Sequence, residues 1–463
     1  MIYNDNKVTD INLAYIGGGS RGWAWSFMGD LSMDDQISGN IRLYDIDEEA
    51  AKNNEIIGNN LLKDPERVGK WKYSTSSTLK EALVGADFVV ISILPGTFKE
   101  MESDVHAPEK YGIYQSVGDT TGPGGLIRSL RTIPMFVEIA EAIKEYCPDA
   151  WVINYTNPMV TSVQTLYKVF PQIKAFGCCH EVFGTQKLLA EACKELLNIE
   201  SVTRSDIWVN VLGINHFTWF DRASYKGHDL FPIYKEYVDK YYESGTSSSK
   251  DDNWMNNSFE SANRVKFDLF RNYGLIAAAG DRHLAEFMPP IYLENPELVK
   301  SWKFGLTTVD FRVEDLHKRI ERGKRLVSGE EKLPLEPSGE EGILLIKSLA
   351  GLTRTVSNVN IPNTGQISNL PLGAIVETNA LFERDHIAPI YAGEIPENIK
   401  ELIDPHVKNY ENTLKAAFNT DRELAFEVFM NDPLVTIDEK QGRDLFNEML
   451  ENTRKYLPEG WFK

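Results

Sequence analysis

Between residues 11 and 180, short apolar runs alternate with stretches of helical periodicity. INLAYIGGGS (11–20) is an apolar run ending in glycines, and WAWSFMGDLS (23–32) repeats its apolar positions every three to four residues. IRLYDID (41–47) predicts a second strand and EEAAKNNEIIGNNLLK (48–63) a second helix. ADFVVISIL (86–94), AWVINYTNP (150–158) and IKAFGCC (173–179) predict further buried strands, with a long helix at RSLRTIPMFVEIAEAIKEY (128–146). This alternation predicts an α/β fold with a doubly wound, mostly parallel sheet. After about residue 205 the pattern changes. IWVNVLGINHFTWF (207–220) is longer and rich in β-branched residues, as antiparallel strands are, and helices follow it. A β-rich stretch covers about 353–382, and helical patterns run from about 395. SGTSSSKDDN (244–253) reads as an exposed loop.

At 463 residues the chain is too long for one simple core, which agrees with the change of pattern near 205. Its 68 acidic and 49 basic residues leave a net charge of -19, which argues against a nucleic-acid partner. Four cysteines, Cys147, Cys178, Cys179 and Cys193, are too few for a disulfide framework and fit a reducing, cytoplasmic setting. The polar opening MIYNDNKVTD is no signal peptide, and no run reaches the ~18 apolar residues of a membrane span.

Gly17, Gly19 and Gly22 satisfy G-x-G-x-x-G, with Ser20 and Arg21 between the last two. The motif follows a strand and opens a helix. Gly17 then permits a tight turn, Gly19 lets the backbone approach a pyrophosphate, and the helix N-terminus offers unpaired N–H groups. Asp45 ends the second strand 23 residues after Gly22, where a carboxylate holds a ribose hydroxyl and favours NAD+ over NADP+. Asp47 is placed to cap the following helix. The expected division is an NAD-binding Rossmann-like domain at 1–204 and an α+β region for substrate, metal and oligomerisation at 205–463.

Asn154 and Asn157 lie at the carboxyl end of a strand, where open α/β sheets bind ligands; Asn157-Pro158 is equally the start of a helix. Cys178, Cys179 and His180 end the next strand on the same rim, and His216 follows Cys179 by 37 residues. One thiolate and one imidazole are too few for a closed zinc site but suffice for an open one completed by substrate and water. Neighbouring strand residues point to opposite faces, so one of the two cysteines belongs to the core. From spacing alone, a buried cysteine and a core histidine are the favoured reading of the loop.

Six blocks in order carry a family resemblance: AYIGGGSRGWAWSFMGDL from Ala14, GDTTGPGG (118–125), NYTNPM (154–159), GCCHEVFGTQ (177–186), GINHFTW (213–219) and AAAGDRHLAEFMPP (277–290). Together they resemble the family 4 glycoside hydrolases over at least residues 10–295. The resemblance implies a sugar substrate, NAD+, Mn2+ or another divalent metal, and a homodimer or homotetramer. It also implies a chemistry outside two-carboxylate hydrolysis. The sugar is oxidised at C3, deprotonated at C2, cleaved by elimination, hydrated and reduced again.

Residue by residue, Cys179 and His216 match the family's metal ligands and Asn157 its substrate-contacting asparagine. His180 stands where some relatives carry the acid that protonates the leaving group. The tetrapeptide Cys179-His180-Glu181-Val182 resembles the branch that acts on α-galacturonides, with Glu181 as a specificity marker. Relatives acting on phosphorylated sugars have a tyrosine base in the last block. Here His283 falls at its place and Asp281 two residues earlier, and either is a candidate base. LPGTFKEMESD (94–104) lacks the family's phosphate-binding arginines, so Arg282 and Lys99 are candidates to bind a uronate carboxylate. The competing readings are an α-galactosidase or α-glucosidase of the same family, an NAD-dependent 2-hydroxyacid dehydrogenase, and a non-catalytic NAD sensor.

Overall fold

The computed structural model describes residues 1–246, 261–306 and 308–463; most of the low-complexity stretch lies outside the described residues. Six parallel strands stand in the order Lys174–Gly177, Trp151–Asn154, Phe88–Ile91, Lys7–Ile16, Ile37–Tyr44 and Lys70–Thr75. This is the doubly wound, Rossmann-like order, with its switch point between Lys7–Ile16 and Phe88–Ile91. Both faces are covered: Leu13 and Tyr15 enter one core cluster, while Ala14 and Ile16 enter another. FVVI at 88–91 is accordingly buried at every position.

Lys70–Thr75 is a strand that the sequence pattern did not predict. It buries only Trp71 and Tyr73, in alternation with lysines, and pairs on one side only. The long helix starts at Gly122, not at residue 128. GPGG reads locally as a turn, yet Pro123 suits a first helical turn, which has no N–H partner to lose. A Cβ on Gly125 would lie 2.4 Å from the Thr120 carbonyl carbon, so a glycine is required there. Asp47 caps the helix Glu48–Leu61 by accepting from the Ala50 amide, as expected.

The division drawn at residue 205 marks the end of the parallel pattern but not the end of the sheet. Strands Thr355–Pro362, Ile375–Glu383 and His386–Pro389 extend it antiparallel, joined where Asn360 pairs with Gly177. A second sheet is built on the antiparallel pair Ile207–Ile214 and Phe217–Tyr225. Asn379 reaches it by donating to the Val209 carbonyl at 2.7 Å. The helices Glu397–Asn419, Arg422–Asn431 and Glu439–Asn452 share one core with the long helix.

Segment 94–104 forms the helix Phe98–His106, fastened by a fully buried ion pair between Asp104 and Arg131 of the long helix. Arg131 donates to Asp104 Oδ1 at 2.9 Å and to the Pro95 carbonyl at 2.9 Å. Removing one partner strands the other charge in the core, so Asp104→Ala is expected to cost about 3–5 kcal/mol. The shift in denaturant midpoint at unchanged slope measures it. Among the described residues, no helix is long and apolar enough to cross a membrane.

Candidate active site

The glycine turn lies at the switch point of the parallel sheet. Gly17 has φ +89°, and a Cβ there would stand 2.0 Å from the Ser92 carbonyl oxygen on the neighbouring strand's end. The Ser20 amide donates back to Gly17 at 3.0 Å and closes the turn. Helix Trp23–Met33 begins after Gly22 with no side-chain cap, leaving its first N–H groups facing outward from the turn. Asp45 accepts from the Gly19 and Asp47 amides at 2.8 and 2.9 Å, which orients its carboxylate beside the turn. Each oxygen keeps a lone pair for a hydroxyl. Arg21 pairs with Asp47 at 3.1 Å. Uncapped amides and a carboxylate beside the turn are the groups a dinucleotide site needs.

On the next two strand ends stand Asn157 and the Cys178–Glu181 loop. Asn157 does not cap helix Met159–Val169, which has no side-chain cap. Its carbonyl accepts from Arg128 Nε at 3.3 Å, while its Oδ1 and Arg128 Nη1 are both buried without partners. Buried polar atoms are nearly always paired, so such orphans mark where a ligand's groups belong. Cys178 packs against the cluster that holds Tyr15 and Phe176, and Cys179 against the opposite one. His180 tilts against Trp23 with ring centroids 5.7 Å apart, next to the glycine turn, and its Nδ1 lies 3.3 Å from Glu340.

His216 sits in the turn between the two long antiparallel strands and meets the parallel sheet from the C-terminal half. Its ring stacks on His283 with centroids 4.0 Å apart. Thr120 Oγ1 donates to Asp119 at 2.8 Å and so receives the His216 Nδ1 proton at 3.1 Å. That leaves His216 Nε2 with its lone pair. Burial, with His283 adding to it, pushes the His216 pKa down to about 3, so the ring is neutral. A neutral imidazole held by an outer hydrogen bond is the form that ligates metals.

Glu181 begins helix Glu181–Leu197, accepts from the Gly280 amide at 2.7 Å and lies 3.9 Å from His283 Nε2. Burial raises the Glu181 pKa, but His283, His180 and His216 in their protonated forms, together with the Gly280 amide, pull it below the usual carboxylate range. Burial raises the Cys179 thiol, and Glu377 and Glu181 raise it further. A thiol between two carboxylates makes a negative niche that a divalent cation neutralises. Among the described residues, no three His, Cys, Asp or Glu side chains converge to hold a metal. A thiol and a neutral imidazole are donors of the kind a divalent ion takes in an open site completed by substrate and water.

Cys179, His180, Glu181, His216, His283 and Asn157 thus surround one rim. Asp281 does not join them, although it starts the same helix as His283. Its carboxylate is fully buried, accepts from the Lys266 amide at 3.1 Å and neighbours the Lys266 charge. Arg282 is close by, but its Nε donates to the Gly305 carbonyl at 3.1 Å and another donor to the Ser116 carbonyl. It ties two loops together. Lys99 is exposed in the first turn of Phe98–His106 and has no described contact with the cluster.

Several site residues were not singled out in the sequence. Asp119 lies inside GDTTGPGG. Burial raises its pKa, but the Arg128 charge, with His283 and His216 when protonated and Arg312, brings it well below the usual carboxylate range. Glu286 fastens that loop by accepting from the Val117 and Gly118 amides at 2.6 and 2.9 Å. A spacing of three from His283 places Glu286 on the same helix face and was the available signal. Arg312, Glu340 and Glu377 carry no local motif.

Residues 12–195 match the family 4 glycosyl hydrolases and residues 211–435 the C-terminal domain of that family. The chain is 64% identical over 462 residues to an alpha-galacturonidase of Thermoanaerobacterium saccharolyticum, covering 100% of this chain and 99% of that one. A Bacillus subtilis crystal structure of 53% identity superposes with a TM-score of 0.91, covering 96% of this chain and 100% of that one. A 6-phospho-alpha-glucosidase from gut microorganisms, solved in complex with NAD and Mn2+, shares the fold at a TM-score of 0.80 and 22% identity over 97% of this chain and 99% of that one. From end to end in sequence and in fold, this chain belongs to the family 4 glycosyl hydrolases and is a glycosidase.

Proposed function

We propose that the protein is an α-galacturonidase that requires NAD+ and a divalent metal such as Mn2+. One observation carries this reading: the Cys179-His180-Glu181 loop meets His216 and His283 beside an open dinucleotide cradle. The full-length likeness to an enzyme named for that activity supports it. When bound, NAD+ supplies a reversible oxidant for the sugar, and the metal supplies Lewis-acid stabilisation of developing negative charge.

The chain's own residues do the rest. Gly17 and Gly19 admit the pyrophosphate, and Asp45 accepts from a ribose hydroxyl. Cys179 and His216 would hold the metal. Asn157 offers its unpaired Oδ1 to a sugar hydroxyl. His283 accepts the C2 proton, with Glu181 beside it to favour the imidazolium that forms. His180, with Glu340 at hand, returns a proton to the departing oxygen. Arg128, buried beside Asp119 with its Nη1 unpaired, is a cation available to an anionic sugar.

Digalacturonate is the discriminating substrate. Cleavage is expected with NAD+ and Mn2+ together and is lost after dialysis against EDTA, as followed by release of reducing sugar. α-Galactosides and α-glucosides, plain or 6-phosphorylated, are expected to be poorer substrates. Stoichiometric accumulation of NADH without cleavage would instead mean a dehydrogenase.

A further inference from the structure

Glu377 is a carboxylate only 1% exposed, and it lies nearly 200 residues after Cys179 in the chain. It stands on strand Ile375–Glu383 opposite Asn360, the residue that joins this hairpin to the parallel sheet at Gly177. Its two oxygens are both occupied. Asn358 Nδ2 donates to Oε1 at 2.7 Å, and Asn215 Nδ2 donates to Oε2 at 3.0 Å.

Each of those amides serves one side of the metal niche. Asn358 Nδ2 also donates to the Cys179 carbonyl at 3.3 Å. Asn215 directly precedes His216, and its side chain lies beside Cys179. Cys179 and His216 come from different sheets, and among the described residues Glu377 is the one side chain hydrogen-bonded to both flanking amides.

We infer that Glu377 is a positioning residue that sets the separation of Cys179 and His216, and with it the affinity of the metal site. This rests on the reading that these two residues hold the ion. A glutamine keeps one acceptor but sets an amide nitrogen against the other asparagine, whose amide must then turn over and release its present contacts. Outer hydrogen bonds of this kind are worth about 10- to 100-fold in metal affinity.

The test is titration of Mn2+ into the full-length protein, read by loss of the free-ion electron paramagnetic resonance signal, with NAD+ affinity measured in parallel. Glu377→Gln is expected to weaken Mn2+ at least about tenfold while NAD+ affinity stays within about twofold. Glu377→Asp, which keeps the charge on a shorter arm, is expected to fall between Gln and wild type. Wild-type Mn2+ affinity in Glu377→Gln, with affinity lost in Cys179→Ser, would overturn the inference. Parallel loss of Mn2+ and NAD+ in both Glu377 variants would also overturn it, in favour of a purely structural role. Unchanged Mn2+ affinity in Cys179→Ser would instead defeat the metal reading beneath it.

Discussion

Cys179→Ser is expected to lower kcat/KM on digalacturonate by about 10²–10³, the several kcal/mol that Lewis-acid stabilisation supplies, whereas Cys178→Ser leaves it within the same order of magnitude. The residues are adjacent and chemically identical, so only their directions separate them. Cys178 packs among the residues of one sheet face, and Cys179 turns to the other, where Glu377, Glu181 and the Asn215 amide lie against it. A serine hydroxyl stays protonated at neutral pH and is a poor ligand for a site with two protein donors. Steady-state kinetics on both variants, with thermal melts to verify folding, gives the answer. Equal losses would mean that the two faces are not functionally distinct.

The second large effect separates Asp281 from His283. His283→Asn is expected to reduce kcat by about a hundred- to ten-thousandfold, the usual contribution of a positioned base. Exchange of deuterium from substrate C2 into solvent should disappear with it. Asp281→Asn should act on stability instead. Its carboxylate holds the Lys266 amide at the start of helix Arg264–Tyr273 and balances the Lys266 charge, so its neutralisation costs about 1–3 kcal/mol. If Asp281→Asn abolished C2 exchange in a folded protein while His283→Asn retained it, the roles would be reversed.

Sequence reasoning reached those parts of the site whose chemistry is local. The glycine turn, Asp45, Asn157-Pro158 and the cysteine loop each sit at a strand end, so pattern and chemistry coincide within a few residues. The two candidate bases could not be separated in the same way, because which face of a two-turn helix meets His216 depends on packing. Glu377 and Arg312 were illegible for the opposite reason. Each is an unremarkable acid or base in a β-rich or amphipathic stretch, and its meaning arises only when the chain folds back. The uronate candidates show the cost of reading charge without context: Arg282 is occupied by carbonyls, and Lys99 lies in solvent. In the fold, the strand at 70–75 and the start of the long helix were missed. There, tertiary partners outweigh local alternation and local glycine content.

The return of residues 355–389 to the sheet also bears on how the protein is made. A nascent chain has completed the glycine turn and the cysteine loop well before Asn360 leaves the ribosome. Until then Gly177, at the end of strand Lys174–Gly177, lacks its ladder partner Asn360, and Phe176 lacks the Phe382 ring that packs against it. Apolar surface left exposed in this way makes a partly folded chain prone to aggregation. A fragment ending before residue 355 should therefore aggregate rather than survive as a nucleotide-binding half, and the C-terminal hairpin acts as the cover of its core.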